Sequence, residues 1–243
     1  MSGNAVSLAA TAIRTRLIRR AAEKLRVREE KIDLANSQAF ITSDESRFID
    51  LVDLVAICAA EGIGLSELSQ FNAPFTNGID PDTGQGDIWP DFTFGAQAVE
   101  VAVDMETGEI ELLKSAACHD VGRAINKAAV IGQIAGGSHQ GLGYALMEDY
   151  VMENGIPKTA SLADYLVPTS VDFPSTEVIV LESGTGVGPF GAKGIGEPAL
   201  TPAAPAVANA VADALGVRIT ELPLTPKRVL EAVCKARTER DQP

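Results

Sequence analysis

Residues 188–202, GPFGAKGIGEPALTP, set one carboxylate, Glu197, and one lysine, Lys193, among four glycines and three prolines. Glycine permits close backbone approach and proline fixes φ, so the stretch can hold its acid in a defined place. Two roles suit such an acid. A carboxylate just ahead of a helix stabilises the helix dipole by about 0.3–1 kcal/mol. A carboxylate between glycines, with Pro198 restricting its backbone, also suits a general base, provided its pKa lies near the working pH. A helix N-terminus lowers that pKa and burial raises it, so residue types alone leave both roles open.

The same stretch offers a competing motif. Gly186, Gly188 and Gly191 satisfy G-x-G-x-x-G after a predicted strand, half of a dinucleotide-binding fingerprint. The other half fails: prolines and glycines delay the next helix to about residue 201, and no strand bearing an acid follows. A Walker A loop fails as well, because Lys193 follows Ala192 and Gly194 stands where Ser or Thr should be.

A second stretch, GQIAGGSHQGLG (132–143), puts Gln133 and Gln140 seven residues apart on one helix face, with small residues between them. Glutamine offers two donors and an acceptor, suited to pterin or phosphate oxygens. A tight helix crossing accounts for the small residues equally well. His139 lacks the Asp and Ser of a triad and reads as structural. CHDVGRAIN (118–126) sets Asp120 and Arg123 in a strand-to-helix turn, where an Asp–Arg pair or a cap is expected, and nothing marks Cys118 as catalytic.

Positioning these groups requires a framework of alternating helices and strands. Apolar spacing predicts a helix over 5–26, with Val6, Ala9, Ile13, Leu17, Ala21 and Leu25 as its stripe and Arg14, Arg16, Arg19 and Arg20 on a solvated or partner-facing side. A short strand pair follows, then a helix over 47–61 and an irregular loop over 72–91. Strands are expected at 97–103, from 110 onward after a turn at 105–108, and at 176–183. A helix over 125–150 is broken or closely packed at its glycine pairs. Thr201 reads as the N-cap of a helix ending at Gly216, and Thr225-Pro226 starts the last helix. The fold class is α/β (α+β), mixed sheets packed with helices.

Composition narrows the function. Among 243 residues, 20 are basic and 33 acidic, giving a net charge of −13 that argues against nucleic-acid or membrane-surface binding. Three cysteines without a CxxC pair and two histidines form no zinc or iron–sulfur set, and point to reduced thiols in a cytoplasmic setting. The N-terminus runs almost directly into a helix, as in a chain that begins mid-domain.

Three segments in order, DVGRAIN…GQIAGGSHQGLGYALMEDY, LADYLVPTSVDFP and GPFGAKGIGEPALTPAAPAVANAVADALG, resemble the C-terminal part of the molybdenum-binding subunit of the xanthine dehydrogenase/aldehyde oxidoreductase family. The resemblance runs over 93–237 and is weaker over 1–92. It implies the end of a first molybdopterin-binding subdomain over 1–92 and a second, carrying the active-site loop, over 93–243. Glu197 then matches the family's active-site base in KGIGE. The implied reaction oxidises an aldehyde or N-heterocycle with water as oxygen donor and hydride passing to Mo=S. Gln133 matches a glutamine near the pterin, Gly194 and Gly196 the backbone beneath the metal, and Lys193 a further cofactor contact. The implied cofactor is molybdenum-molybdopterin in its cytosine dinucleotide form, with no protein side chain on the metal. The implied partners are the remaining part of the molybdenum subunit, a 2Fe-2S subunit and an FAD subunit, so the chain is expected to be a split subunit or a fragment. A non-catalytic assembly subunit with the same fold is the alternative.

Overall fold

The computed structural model describes residues 1–73 and 77–240, leaving aside the side chains of 237–240. The chain divides into two compact units, Met1–Pro90 and Asp91–Pro243.

In the first unit, helix α1 (Ser2–Leu25) precedes an antiparallel sheet of β1 (Ile32–Ala35), β2 (Gln38–Ile41) and β3 (Asp44–Asp50), followed by helix α2 (Leu51–Ala60). Leu17 and Ala21 of α1 pack with Ile32, Ala39, Ile41, Leu54 and Cys58. The expected stripe is buried only in its second half, since Val6 is 67% exposed. The arginine face is laced with carboxylates: Arg14 pairs with Asp33, Arg16 with Glu67, Arg19 with Glu29, and Arg20 with Glu23 and Glu61. The helix expected from residue 47 begins at Leu51 instead. Phe48 and Ile49 pair with Phe40 and Ala39, so the sheet claims the residues before it. Tertiary pairing overrides a weak local preference here.

Within the expected 72–91 loop, residues 74–76 lie outside the described residues. The rest includes an ordered turn, in which the Asp80 carboxylate accepts the Asp82 and Thr83 N–H groups and Asp80 N–H donates to the Gln85 carbonyl. The same D-x-x-T-G pattern recurs at Asp104, which accepts the Glu106 and Thr107 N–H groups. That second turn joins β4 (Gly95–Val103) to β5 (Ile110–Asp120).

Helix α3 (Lys127–Leu146) starts at Asn126, whose side chain accepts the Ala129 N–H. It is continuous through Gly136 and Gly137, so of the two expectations close packing is correct. A two-residue hairpin, β6 (Met152–Glu153) and β7 (Ile156–Pro157), leads to β8 (Thr176–Leu181), which pairs parallel to β5. The sheet order β4-β5-β8 therefore holds a crossover that contains α3. Helix α4 (Ala203–Leu215) lays Val207 and Val211 with Leu112, Leu142 and Leu224 in one core. Thr201 is not its N-cap. Pro202 occupies that position with φ −82° and ψ −12°, and no side chain caps the first turn. A 3-10 turn at Glu197–Ala199 has already curled the chain before the helix begins. Gly216 ends α4 in the left-handed conformation as expected, and helix α5 (Pro226–Arg240) closes the chain. The architecture is mixed, helices packed on sheets. Among the described residues no helix is long and apolar enough to cross a membrane.

Candidate functional site

Strands β5 and β8 run parallel and end side by side, Asp120 opposite Leu181. Ligand sites in sheets with parallel strands gather outside such carboxyl ends, where connecting loops converge. Here the loop after β5 meets the glycine-rich loop after β8. Val121 N–H donates to the Leu181 carbonyl, Gly184 N–H to that of Gly122, and Lys193 N–H to that of Val121. Gly122 cannot be replaced in this meeting. Its φ is +65°, and a Cβ there would lie 2.1 Å from the Gly191 carbonyl oxygen.

The centre of the junction is an ion pair. Lys193 Nζ lies 2.8 Å from Asp120 Oδ2, with side chains 5% and 14% exposed. Asp120 also accepts the Gly122 N–H at 2.9 Å and the Ser183 hydroxyl at 2.9 Å. The Lys193 ammonium, then these donors, holds the Asp120 carboxyl well below the usual carboxylate range. The ammonium also sits 5.3 Å from the centroid of the Phe94 ring, a cation–π contact. Of the pair or cap expected at Asp120, the cap on the Gly122 N–H is present, and the paired cation is Lys193 rather than Arg123, which is exposed. Lys193, expected to touch a cofactor, pairs with Asp120.

The dinucleotide alternative fails on geometry as well as on sequence context. Gly186 N–H donates to the Gly191 carbonyl, Gly188 N–H to Ala192, and Gly191 N–H to Gly188. A phosphate cradle needs such donors free, and this loop has spent them on itself.

Beyond Lys193 the chain changes character. Gly194 and Gly196 are exposed, and a Cβ on either would meet no atom within 4 Å. The Gly194 carbonyl is held by the Thr93 hydroxyl at 2.8 Å, and Ile195 packs on the core of Ala117, Val121, Val130, Ile134 and Ala199. Glu197 then opens the 3-10 turn, exposed to solvent. The turn rests on α3: a Cβ on Gly137 would stand 2.7 Å from the Ala199 Cβ, and one on Gly141 2.5 Å from the Ala203 Cβ. Gln133 is one helical turn ahead of Gly137 on the same ridge, so the ridge that seats the Glu197 turn also carries Gln133. Gln133 is exposed too.

Gln140 does not join Gln133. It lines a separate cavity of about 530 Å³ with Tyr144, Leu200, Ala204 and Leu222, between α3 and α4. His139 is structural as expected, its Nε2 lying 2.9 Å from the Thr169 carbonyl oxygen and its ring edge-on to Phe173. The sequence reading missed Thr93, Phe94 and Ser183. None stands in a recognisable motif; the antiparallel pairing of β4 with β5 brings Thr93 and Phe94 to the junction, and the parallel pairing of β5 with β8 brings Ser183 to Asp120.

Among the described residues no group of three or more His, Cys, Asp or Glu could hold a metal ion. A molybdopterin is a group that carries metal ligands of its own. The surface suits such a group. Among the described residues the side chains of Glu197 and Gln133 make no hydrogen bond, and a Cβ on Gly194 or Gly196 would meet no atom within 4 Å. Residues 1–174 match the molybdopterin cofactor-binding domain family. The chain is 40% identical over 152 residues to the probable hypoxanthine oxidase XdhD of Escherichia coli (strain K12), covering 61% of this chain and 16% of that protein. It is 34% identical over 236 residues to the nicotine 6-hydroxylase large subunit of Paenarthrobacter nicotinovorans, covering 96% and 28%. The crystal structure of quinoline 2-oxidoreductase from Pseudomonas putida 86 superposes with a TM-score of 0.78 at 26% identity, covering 99% of this chain and 30% of that one. The chain thus spans less than a third of the proteins it resembles. With this match over most of its length, and with a surface that suits the cofactor, the chain belongs to the molybdopterin cofactor-binding domain family of xanthine dehydrogenase and aldehyde oxidoreductase molybdenum subunits.

Proposed function

We propose that this chain supplies the Glu197 side of the active site of a molybdenum hydroxylase. Its substrate is an aldehyde or an N-heterocycle, to which oxygen from water is added. The observation that carries this reading is the placement of Glu197: its side chain is exposed, has no hydrogen-bond partner among the described residues, and is fixed between the Lys193 anchor and the Gly137–Ala199 contact. Two relatives are named for purine and pyridine-ring substrates, which supports the N-heterocycle class.

The molybdenum cofactor, when bound, supplies the transfer of water-derived oxygen to the substrate carbon and takes up two electrons. The chain supplies the rest. Glu197 accepts the proton released as that oxygen is delivered. Gln133 meets polar edges of the cofactor with its amide, and Gly194 and Gly196 let the group approach the backbone. We assign residues 1–92 to the end of a first cofactor-binding subdomain and 93–243 to a second. The cofactor is the cytosine dinucleotide form, and electrons leave through 2Fe-2S and FAD groups on partner subunits, beside the remaining part of the molybdenum subunit.

The test is Glu197→Gln in the assembled enzyme. The variant is expected to keep its molybdenum and to lose turnover by about 10²–10⁴-fold, the contribution of a positioned base. Near-normal turnover would overturn the assignment. An assembled wild-type complex without molybdenum would favour a non-catalytic assembly role.

A further inference from the structure

We propose that the Asp120–Lys193 ion pair is the positioning device for Glu197, an inference that rests on reading Glu197 as the base. Only Gly194, Ile195 and Gly196 separate Lys193 from Glu197. Two of the three are glycines, so this short link has little stiffness of its own. It takes its register from what holds it: the Thr93 hydroxyl on the Gly194 carbonyl, Ile195 on the core, and the two ends. The far end is the packing of Ala199 on Gly137. The near end is Lys193, held at three points: its N–H on the Val121 carbonyl, its ammonium on Asp120, and the same ammonium over Phe94.

Asp120 makes that anchor specific. It is the last residue of β5 and gathers donors from three segments: Gly122 just after its own strand, Ser183 just after β8, and Lys193. One carboxylate thus joins two parallel strand ends to the start of the catalytic link. Lys193 and Asp120 are positioning residues, because neither ammonium nor carboxylate reaches the open face where Glu197 lies. Loss of either charge leaves the other nearly buried and unpaired, and the strain of that state falls on the flexible link.

The experiment combines activity with a readout that needs no cofactor. In the assembled enzyme, Lys193→Met and the isosteric Asp120→Asn are each expected to lower kcat by roughly 100-fold, the effect of a displacement of about 1 Å, with KM changed by less than about threefold. In a Glu197→Gln background neither should lower the residual rate further, because both act through Glu197. Lys193→Arg, which keeps the pair, should recover most of the turnover. In the cofactor-free chain, amide exchange over 194–200 should rise about tenfold in Lys193→Met while α3 stays protected.

Unchanged turnover and exchange in both variants would overturn the proposal. So would an undiminished loss in the Glu197→Gln background, or exchange rising equally in α3, since the pair would then hold the fold rather than the link. A Glu197→Gln enzyme with normal turnover removes the base reading instead. Exchange over 194–200 then decides by itself whether the pair anchors the link.

Discussion

Gly137 and Ala199 touch so closely that a Cβ on the glycine would stand 2.7 Å from the Cβ of the alanine. The contact seats the turn that begins with Glu197 against α3, two residues from the proposed base. The adjacent Gly136 faces open space, with nothing within 4 Å of a Cβ. One helix thus presents, side by side, a glycine required by contact and a glycine that is not.

Gly137→Ala should therefore push the turn outward, since a packed interior cannot absorb a methyl group at that distance. Turnover of the assembled enzyme is expected to fall by roughly ten- to a hundredfold, the range for a displacement near 1 Å. Gly136→Ala should instead stabilise the cofactor-free chain by about 0.5–1 kcal/mol, the helical advantage of alanine over glycine. Unfolding midpoints of the two variants check the contrast; equal effects would refute the packing argument.

Gln133→Ala should leave the fold intact, because the side chain is exposed on α3. Losing one or two hydrogen bonds to a cofactor, each worth about 0.5–1.5 kcal/mol, predicts roughly two- to a hundredfold weaker retention. Molybdenum and pterin per assembled complex measure this directly, with Gln140→Ala as the comparison that should not change them.

Acid should destabilise the chain in two steps of the same sign. His119 is fully buried, its ring nitrogens have no hydrogen-bond partner among the described residues, and burial lowers its pKa below the ordinary imidazole value. Below about pH 6.5 the unfolded state takes up a proton that the folded state refuses, so stability falls as pH drops through that value, by at most about 1.4 kcal/mol per unit. Asp120 is lowered chiefly by Lys193, Asp104 by the Glu106 and Thr107 N–H groups, and Asp172 by Thr169. Their contribution is complete above the ordinary carboxylate range and is lost as pH falls below it. Urea midpoints across pH 3–8 should show both steps, and His119→Leu should abolish only the step near neutrality.

Leu142 is fully buried where α3 meets α4 and β5. Leu142→Ala is expected to cost about 2–5 kcal/mol of stability. The midpoint of urea unfolding for this substitution, set beside that for Gly136→Ala, separates core packing from helix propensity.

The sequence by itself determined the elements whose causes are local. The β4–β5 hairpin follows from alternation and a D-x-x-T-G turn, the end of α4 from Gly216, and the proline-bounded setting of Glu197 from the residues beside it. These depend on backbone preferences within a few residues, which residue types carry directly. Tertiary structure decided the rest. It made a strand of residues 47–50 by pairing them with β2, and it put Pro202 rather than Thr201 at the start of α4. It also turned Lys193 inward to an aspartate 73 positions away. That last contact exists because β5 and β8 run parallel and bring their ends together, and strand pairing across a crossover leaves no mark in the spacing of nearby residues.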